Sequence, residues 1–263
     1  MGLIARRLSA GLNSAALVFV LSSLLVVLPP FVPTGTFDSA KASITPTTFI
    51  TEINLSDKMS DGREMFESMN SAVSSIDDYC CDCTLLHFKT KGKRPADTGA
   101  KFYYKKPGQV RVEAVTRDYR NGSVVVRNTK GIRGVGGGML RSLKMNLEEN
   151  SRVIRLPNGY CVVRSDFPSL YADVKQSLAH GCVCKVTKTP VLVPTDDGQQ
   201  KMYVFEVCRP GASGEEVIHR VLVNPKTMFP VEWAFFKDGK ILTTNLFKNM
   251  SVNKGLSNDL FTI

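Results

Sequence analysis

Between residues 60 and 76 the apolar positions Met65, Phe66, Met69, Val73 and Ile76 recur at helical spacing. They predict one amphipathic helix, which Ser60 or Asp61 is placed to cap. After Asp77 the period falls to two. Tyr79–Lys89, Ala100–Lys105, Gln109–Thr116, Ser123–Asn128 and Ile132–Val135 read as strands. The polar loop Lys91–Gly99, a Lys-Pro-Gly turn, Arg120-Asn121-Gly122 and Asn128–Gly131 join them. Helical spacing returns twice. Met139, Leu140, Leu143 and Leu147 mark an amphipathic helix over 139–149, and Leu170, Val174 and Leu178 mark another over Ser169–His180. Ser165 or Asp166 is placed to cap the latter, and Gly181 stops it. The remainder is strands again: Val183–Lys188, Lys201–Cys208, Glu216–Asn224, Pro230–Lys237 and Lys240–Phe247, with Pro225-Lys226 and Asp238-Gly239 as turns.

Strands joined by tight turns must pair antiparallel, because parallel neighbours need long crossovers. About nine to eleven of them are too many for a flat open sheet. The pattern therefore predicts an α+β domain: a strongly curved antiparallel sheet forming an incomplete β-barrel or splitting into a sandwich, with amphipathic helices over its apolar concave face. No repeat of 20–50 residues and no low-complexity linker divides it, so one domain is expected.

The first 42 residues stand apart. Arg6 and Arg7 precede the uncharged stretch Ala15–Leu28, and Ala40-Lys41-Ala42 is a small-x-small cleavage site before Ser43. The apolar stretch is shorter than the ~20 residues of a membrane span, and Pro29, Pro30 and Pro33 would stop a helix. A secretory signal over 1–42 is expected, with an uncleaved N-terminal anchor as the alternative. Residues 43–59 form a Ser/Thr-rich extended lead-in, and 60–263 the folded domain. The location implied is extracytoplasmic.

Charge adds a direction but not a partner. The chain carries +10, of which residues 1–42 hold a net +2 (Arg6, Arg7 and Lys41 against Asp38), leaving +8 for the exported part. Such a surface suits an anionic membrane or merely keeps the protein soluble. No run of five basic residues and no recognition motif supports nucleic acid.

Chemistry-bearing clusters are few. Seven cysteines (Cys80, Cys81, Cys83, Cys161, Cys182, Cys184 and Cys208) predict disulfides in an oxidising compartment, the odd number leaving one thiol over. Neither cluster has the usual zinc spacing, so no metal is expected, and no motif asks for a cofactor. The glycines of Gly134–Gly138 lack the Lys-Ser/Thr and the βαβ unit of a phosphate loop, and read instead as a hinge. Of the histidines His87, His180 and His219, none falls in a nucleophile-elbow or other catalytic signature, so no enzyme activity is expected. What recurs is apolar strand faces. Phe102, Tyr104, Phe229, Trp233 and Phe235, with the aliphatic Val110, Val112, Val124, Val126 and Val231, are core positions and the candidate wall of an apolar cavity.

The order of these elements resembles the LolA/LolB-like superfamily, the periplasmic lipoprotein carriers and their relatives. The residues that carry the resemblance are Phe102–Glu113 (FYYKKPGQVRVE), Gly122–Val126 and the Asn128–Gly131 turn. Val223–Val231 (VNPKTMFPV) and the terminal Asn258-Asp259-Leu260-Phe261 complete it. The resemblance covers about residues 60–263. It implies helices acting as a lid over an apolar cavity for the acyl chains of a lipid or lipoprotein. It also implies that Arg111, at the place of the carriers' arginine after the Lys-Pro turn, holds the lid by hydrogen bonds. The cysteine clusters, Gly136–Gly138 and 182–200 depart from the carrier pattern. The readings that follow are a non-enzymatic carrier or sensor of acyl chains, a structural module of the envelope with a filled core, and a thiol-dependent or hydrolytic enzyme.

Overall fold

A computed structural model of the chain describes residues 55, 58–88, 96–116, 120–195, 198–211 and 214–263. The expected signal over 1–42, nearly all of the 43–59 lead-in and the loop residues 91–95 lie outside them.

Thirteen strands and two α-helices make up the described chain. Strand β1 (Met59–Asp61) precedes helix α1 (Arg63–Ser74). An antiparallel meander follows, of β2 (Asp78–His87), β3 (Ala96–Lys105), β4 (Gln109–Val115), β5 (Val124–Asn128), β6 (Gly131–Val135) and β7 (Lys144–Leu147). Two short 3₁₀ turns then lead to helix α2 (Phe167–Ala179). Strands β8 (Val183–Thr187) and β9 (Val191–Thr195) introduce a second meander, of β10 (Gly198–Gly211), β11 (Gly214–Val223), β12 (Pro230–Lys237) and β13 (Lys240–Val252). The two meanders join where β13 pairs with β2. The full order is β1-β8-β10-β11-β12-β13-β2-β3-β4-β5-β6-β7, with β9 beside the first part of β10. The sheet is mostly antiparallel and open, with β1 and β7 as unjoined edges.

The period-two segments form strands where expected, and the Asp238-Gly239 turn takes left-handed φ at both residues, 51° and 69°. Helix α2 starts where its cap predicts: the Asp166 carboxylate accepts from the Ser169 N–H at 3.0 Å. Two expectations fail. Ser60 does not cap α1, because it pairs with Val186 in β8; Gly62 takes the capping position without a side-chain bond, while the Asp61 carboxylate, one residue earlier, accepts from the Arg63 N–H at 3.0 Å. The 139–149 segment is not a helix. It is a 3₁₀ turn, Gly138–Leu140, followed by β7, whose Met145 and Leu147 pair with Gly134 and Ile132 of β6. Ladder pairing with an available edge outweighs a helical spacing only three turns long.

Successive strand residues face opposite sides, so the sheet has an inner face toward the helices and an outer face. The larger core cluster joins Phe66, Met69 and Val73 of α1 and Phe167, Leu170, Tyr171 and Val174 of α2 to the inner face of β2–β4, β8 and β10–β13. A smaller cluster of Leu55, Val193, Met202, Val204 and Leu222 lies on the outer face around β9 and β10. The final 3₁₀ turn, Asn258–Phe261, also lies on the outer face, where Arg111 Nη1 donates to the Leu260 carbonyl at 3.0 Å and Phe261 is fully buried.

Candidate functional site

The inner wall is built by cross-strand rows. His219 of β11 faces Phe235 of β12, which faces Thr243 of β13, which faces His87 of β2. The next inner row runs Val221, Trp233, Asn245, Leu85. Helix α2 meets the second row through Tyr171, whose ring stands edge-on to Trp233 at 5.6 Å, and Tyr160, ahead of α2, meets Phe235 of the first row at 4.9 Å, while His219 packs against Phe235 at 5.1 Å and Trp233 at 6.2 Å. Four polar atoms in this apolar setting are buried without a hydrogen-bond partner: Tyr171 hydroxyl, Trp233 Nε1, His219 Nδ1 and Thr243 Oγ1. Burial pushes the His219 imidazole down to about 4 and the Tyr171 phenol well above its ordinary range, so both are neutral at pH 7. These groups can thus donate and accept hydrogen bonds without carrying charge.

The start of α2 is held at one corner. Arg127 Nη2 donates to Asp166 Oδ2 at 2.9 Å, its Nε donates to the Gly108 carbonyl at 3.0 Å, and the Phe167 N–H donates to the Tyr79 hydroxyl at 3.1 Å. A polar pocket of about 390 Å³ opens beside this corner, lined by Tyr104, Gly108, Arg127, Asp166, Ser169 and Asp173 among others. Sequence reasoning passed over Arg127 and Asp166 as a pair. Their meeting spans 39 residues of chain and depends on the register of β5.

Of the candidate cavity residues, Phe102, Tyr104, Val110, Val112, Trp233 and Phe235 are buried in the inner cluster, and Phe229 packs against it. Val124 and Val126 are not on that wall. Val112 pairs with Val125, so Val125 faces inward and its neighbours face out, where Val126 stands opposite Arg111. Val231 packs against the outer cluster, next to a register shift at Leu222/Val223. Arg111 is on the outer face as well, its Nε bonded to Glu113 at 2.6 Å.

All seven cysteines are free thiols. The strand register explains why no two are joined. Cys80, Cys81 and Cys83 stand across from Tyr103, Phe102 and Ala100, and Cys184 and Cys208 stand across from Val207 and Val183 on opposite faces of the sheet. Burial pushes the Cys83 and Cys208 thiols up to about 12 and Cys81 higher still, which leaves them protonated and poor nucleophiles. Among the described residues no group of three or more His, Cys, Asp or Glu side chains is placed to hold a metal ion, and no helix is long and apolar enough to cross a membrane.

No family model and no curated protein matches the chain. Among solved structures it is similar to a DUF1329 family protein from Desulfovibrio piger (TM-score 0.41, 12% identity, 76% of this chain and 95% of that one). It is also similar to a LolA superfamily protein from Nitrosomonas europaea (TM-score 0.37, 9% identity, 78% and 98%). MucB is a further neighbour (TM-score 0.44, 12% identity, 77% and 64%).

Proposed function

We propose that this domain is a non-enzymatic binder of lipid or lipoprotein acyl chains outside the cytoplasm, with α2 as the element that moves aside to admit them. The observation that carries this reading is the set of four unpartnered polar atoms on the inner wall and on the Tyr171 side chain that α2 lays against it. A wall serving only as core would do better with apolar atoms there, because each buried polar group without a partner costs about 1–3 kcal/mol. An ester or amide carbonyl at the head of an acyl chain would accept from Trp233 Nε1 or the Tyr171 hydroxyl. The chain itself would gain about 0.8 kcal/mol for each CH₂ buried against the inner face. Helix α2 suits the moving part. Its hold on the sheet is side-chain packing, one ion pair and one bond to Tyr79, with no ladder to break. The neutral wall favours an uncharged linkage over a charged headgroup, which would remain at the polar corner by Arg127.

The test is native mass spectrometry with lipid extraction on the chain purified from the extracytoplasmic fraction of its host. Acyl lipid should co-purify. Trp233→Phe keeps an aromatic, though smaller, ring on the wall and removes the donor, and should weaken retention of ester-linked lipid about fivefold. A clean apo mass with no uptake of added lipid would favour the filled-core module instead.

A further inference from the structure

Six large apolar side chains are exposed among the described residues, and four of them, Val115, Met139, Leu140 and Leu143, lie at one end of the sheet. The register fixes that placement. Glu113 pairs with Val124 and Val124 with Val135, and Val135 pairs with Lys144, so the β4–β5 and β6–β7 connections emerge side by side. Met139 is 97% exposed, Val115 53%, Leu143 43% and Leu140 42%.

This end is shaped rather than loose. A Cβ on Gly137 would stand 2.4 Å from the Asn121 carbonyl oxygen, and one on Gly136 would stand 2.5 Å from Leu140 Cβ. The glycines let the β6–β7 turn press flat on the Arg120–Gly122 turn, which leaves Met139 pointing away from the fold. They are a close-packing device, not the hinge their run suggests. Charge surrounds the apolar tip. Gly131–Leu147 contains Arg133, Arg141 and Lys144, all exposed, and no Asp or Glu. Glu113 lies three strands from Lys144 in the same row and is paired with Arg111 at 2.6 Å, and the nearest acids along the strand, Glu148 and Glu149, lie past its far end, about 13 Å or more from Lys144 at ~3.3 Å per residue. That exceeds the Debye length of about 8 Å at physiological salt. Glu149 is moreover paired with Arg164 at 2.9 Å.

We propose that this tip docks on an anionic lipid bilayer, with Met139, Leu140 and Leu143 entering the interface and Arg133, Arg141 and Lys144 lying over the headgroups. The net charge of +8 on residues 43–263 drives the approach in the same direction. The site deepens the acyl-chain reading by giving the binder a surface from which to load or deliver, and it stands on different residues.

The experiment is fluorescence of the full chain carrying Met139→Trp, with the unaltered chain as blank for the one native tryptophan, Trp233. Phosphatidylcholine vesicles containing phosphatidylglycerol should shift the added emission to the blue, and brominated acyl chains should quench it. Adding Arg141→Glu and Lys144→Glu should lower partitioning about tenfold or more. No shift, no quenching, or equal partitioning into pure phosphatidylcholine would overturn the proposal. So would a shift that appears with protein concentration alone, which would assign the tip to a second copy of the chain. Because lipid uptake is read separately by mass, failure here leaves the acyl-chain reading standing, and the reverse holds too.

Discussion

The outer face of β2–β5 and the inner face beneath α2 are both covered by a segment distant in sequence, but the two covers are fastened differently. On the outer face, Asp78 accepts the backbone N–H groups of Lys254, Gly255 and Leu256 at 2.8–3.0 Å. Lys105 Nζ donates to the Leu256 carbonyl, Arg111 to that of Leu260, and Asn128 Nδ2 to that of Phe261. Phe261 is fully buried where the terminal turn packs on β4 and β5. That segment is tied along its length by the charge-assisted bonds of Asp78, Lys105 and Arg111, each stronger than a neutral one, and by the neutral bond of Asn128. On the inner face, α2 is tied at its first turn and, through Asp173, to the Tyr160 side chain, and for the rest it packs on apolar side chains where it meets the four unpartnered polar atoms. The outer cover is held by bonds to its backbone, whereas α2 is held mainly by apolar contacts, which the ligand of the proposed function would replace.

The largest expected effect breaks the outer cover. Asp78→Ala strips three N–H groups of one acceptor, and at about 1–2 kcal/mol each the fold should lose about 4 kcal/mol in urea unfolding. Asp78→Asn, which keeps one carbonyl oxygen, should lose roughly half of that. Equal, small losses in both would mean that Phe261 and the Lys105, Arg111 and Asn128 bonds hold the terminal segment without Asp78.

Second comes the corner of α2. Arg127→Ala leaves the Asp166 carboxylate buried with only the Ser169 N–H and Oγ as donors. Removing one partner of a buried pair costs about 3 kcal/mol where nothing else compensates. The diagnostic readout is local: amide hydrogen exchange in 167–179 should accelerate while that of 254–261 stays as it was. Uniform acceleration would show that α2 opens only with the whole domain, and would remove the moving part from the proposed function.

How much of this the sequence carried follows from the range of the interactions. The strands of both meanders and the Asp166 cap are local signals of period, turn chemistry and capping, and they appear where the residues place them. The 139–149 segment misleads because Met139, Leu140, Leu143 and Leu147 satisfy a helical template, while the pairing of Met145 and Leu147 with β6 is invisible without the partner. Strands β1 and β9 are short and owe their form to β8 and β10. The cysteines are close in number but not in space, since strand parity sends Cys184 and Cys208 to opposite faces. Trp233 and Phe235 were legible as wall residues. That Tyr171, His219 and Thr243 join them depends on the register of three strands and the seat of α2, which no spacing along the chain records. Asp78 meets its donors across 176–178 residues and carried no local sign of its role.

The smallest effect sets the two faces against each other by pH. His219, on the inner wall, is held down to about 4 by burial. Its contribution to stability is complete above the unfolded value near 6.5 and is lost as pH falls toward 4. Glu232, on the outer side of β12, is held up to about 7 by burial, with Arg220 pulling the other way. Its contribution is complete below the unfolded value near 4.5 and is lost as pH rises through 7. Between pH 7 and 4.5 the two run in opposite directions, so the unaltered chain should change little in stability from this pair. Glu232→Gln leaves the histidine alone, and stability should then fall by about 2 kcal/mol on acidification across that window. His219→Gln leaves the glutamate alone, and stability should rise by a similar amount. Histidine NMR gives the sharper reading. If the His219 ring in the unliganded chain titrates near 6.5, water already reaches the wall beneath α2, the four polar atoms have solvent as their partner, and the case for a ligand there falls with them.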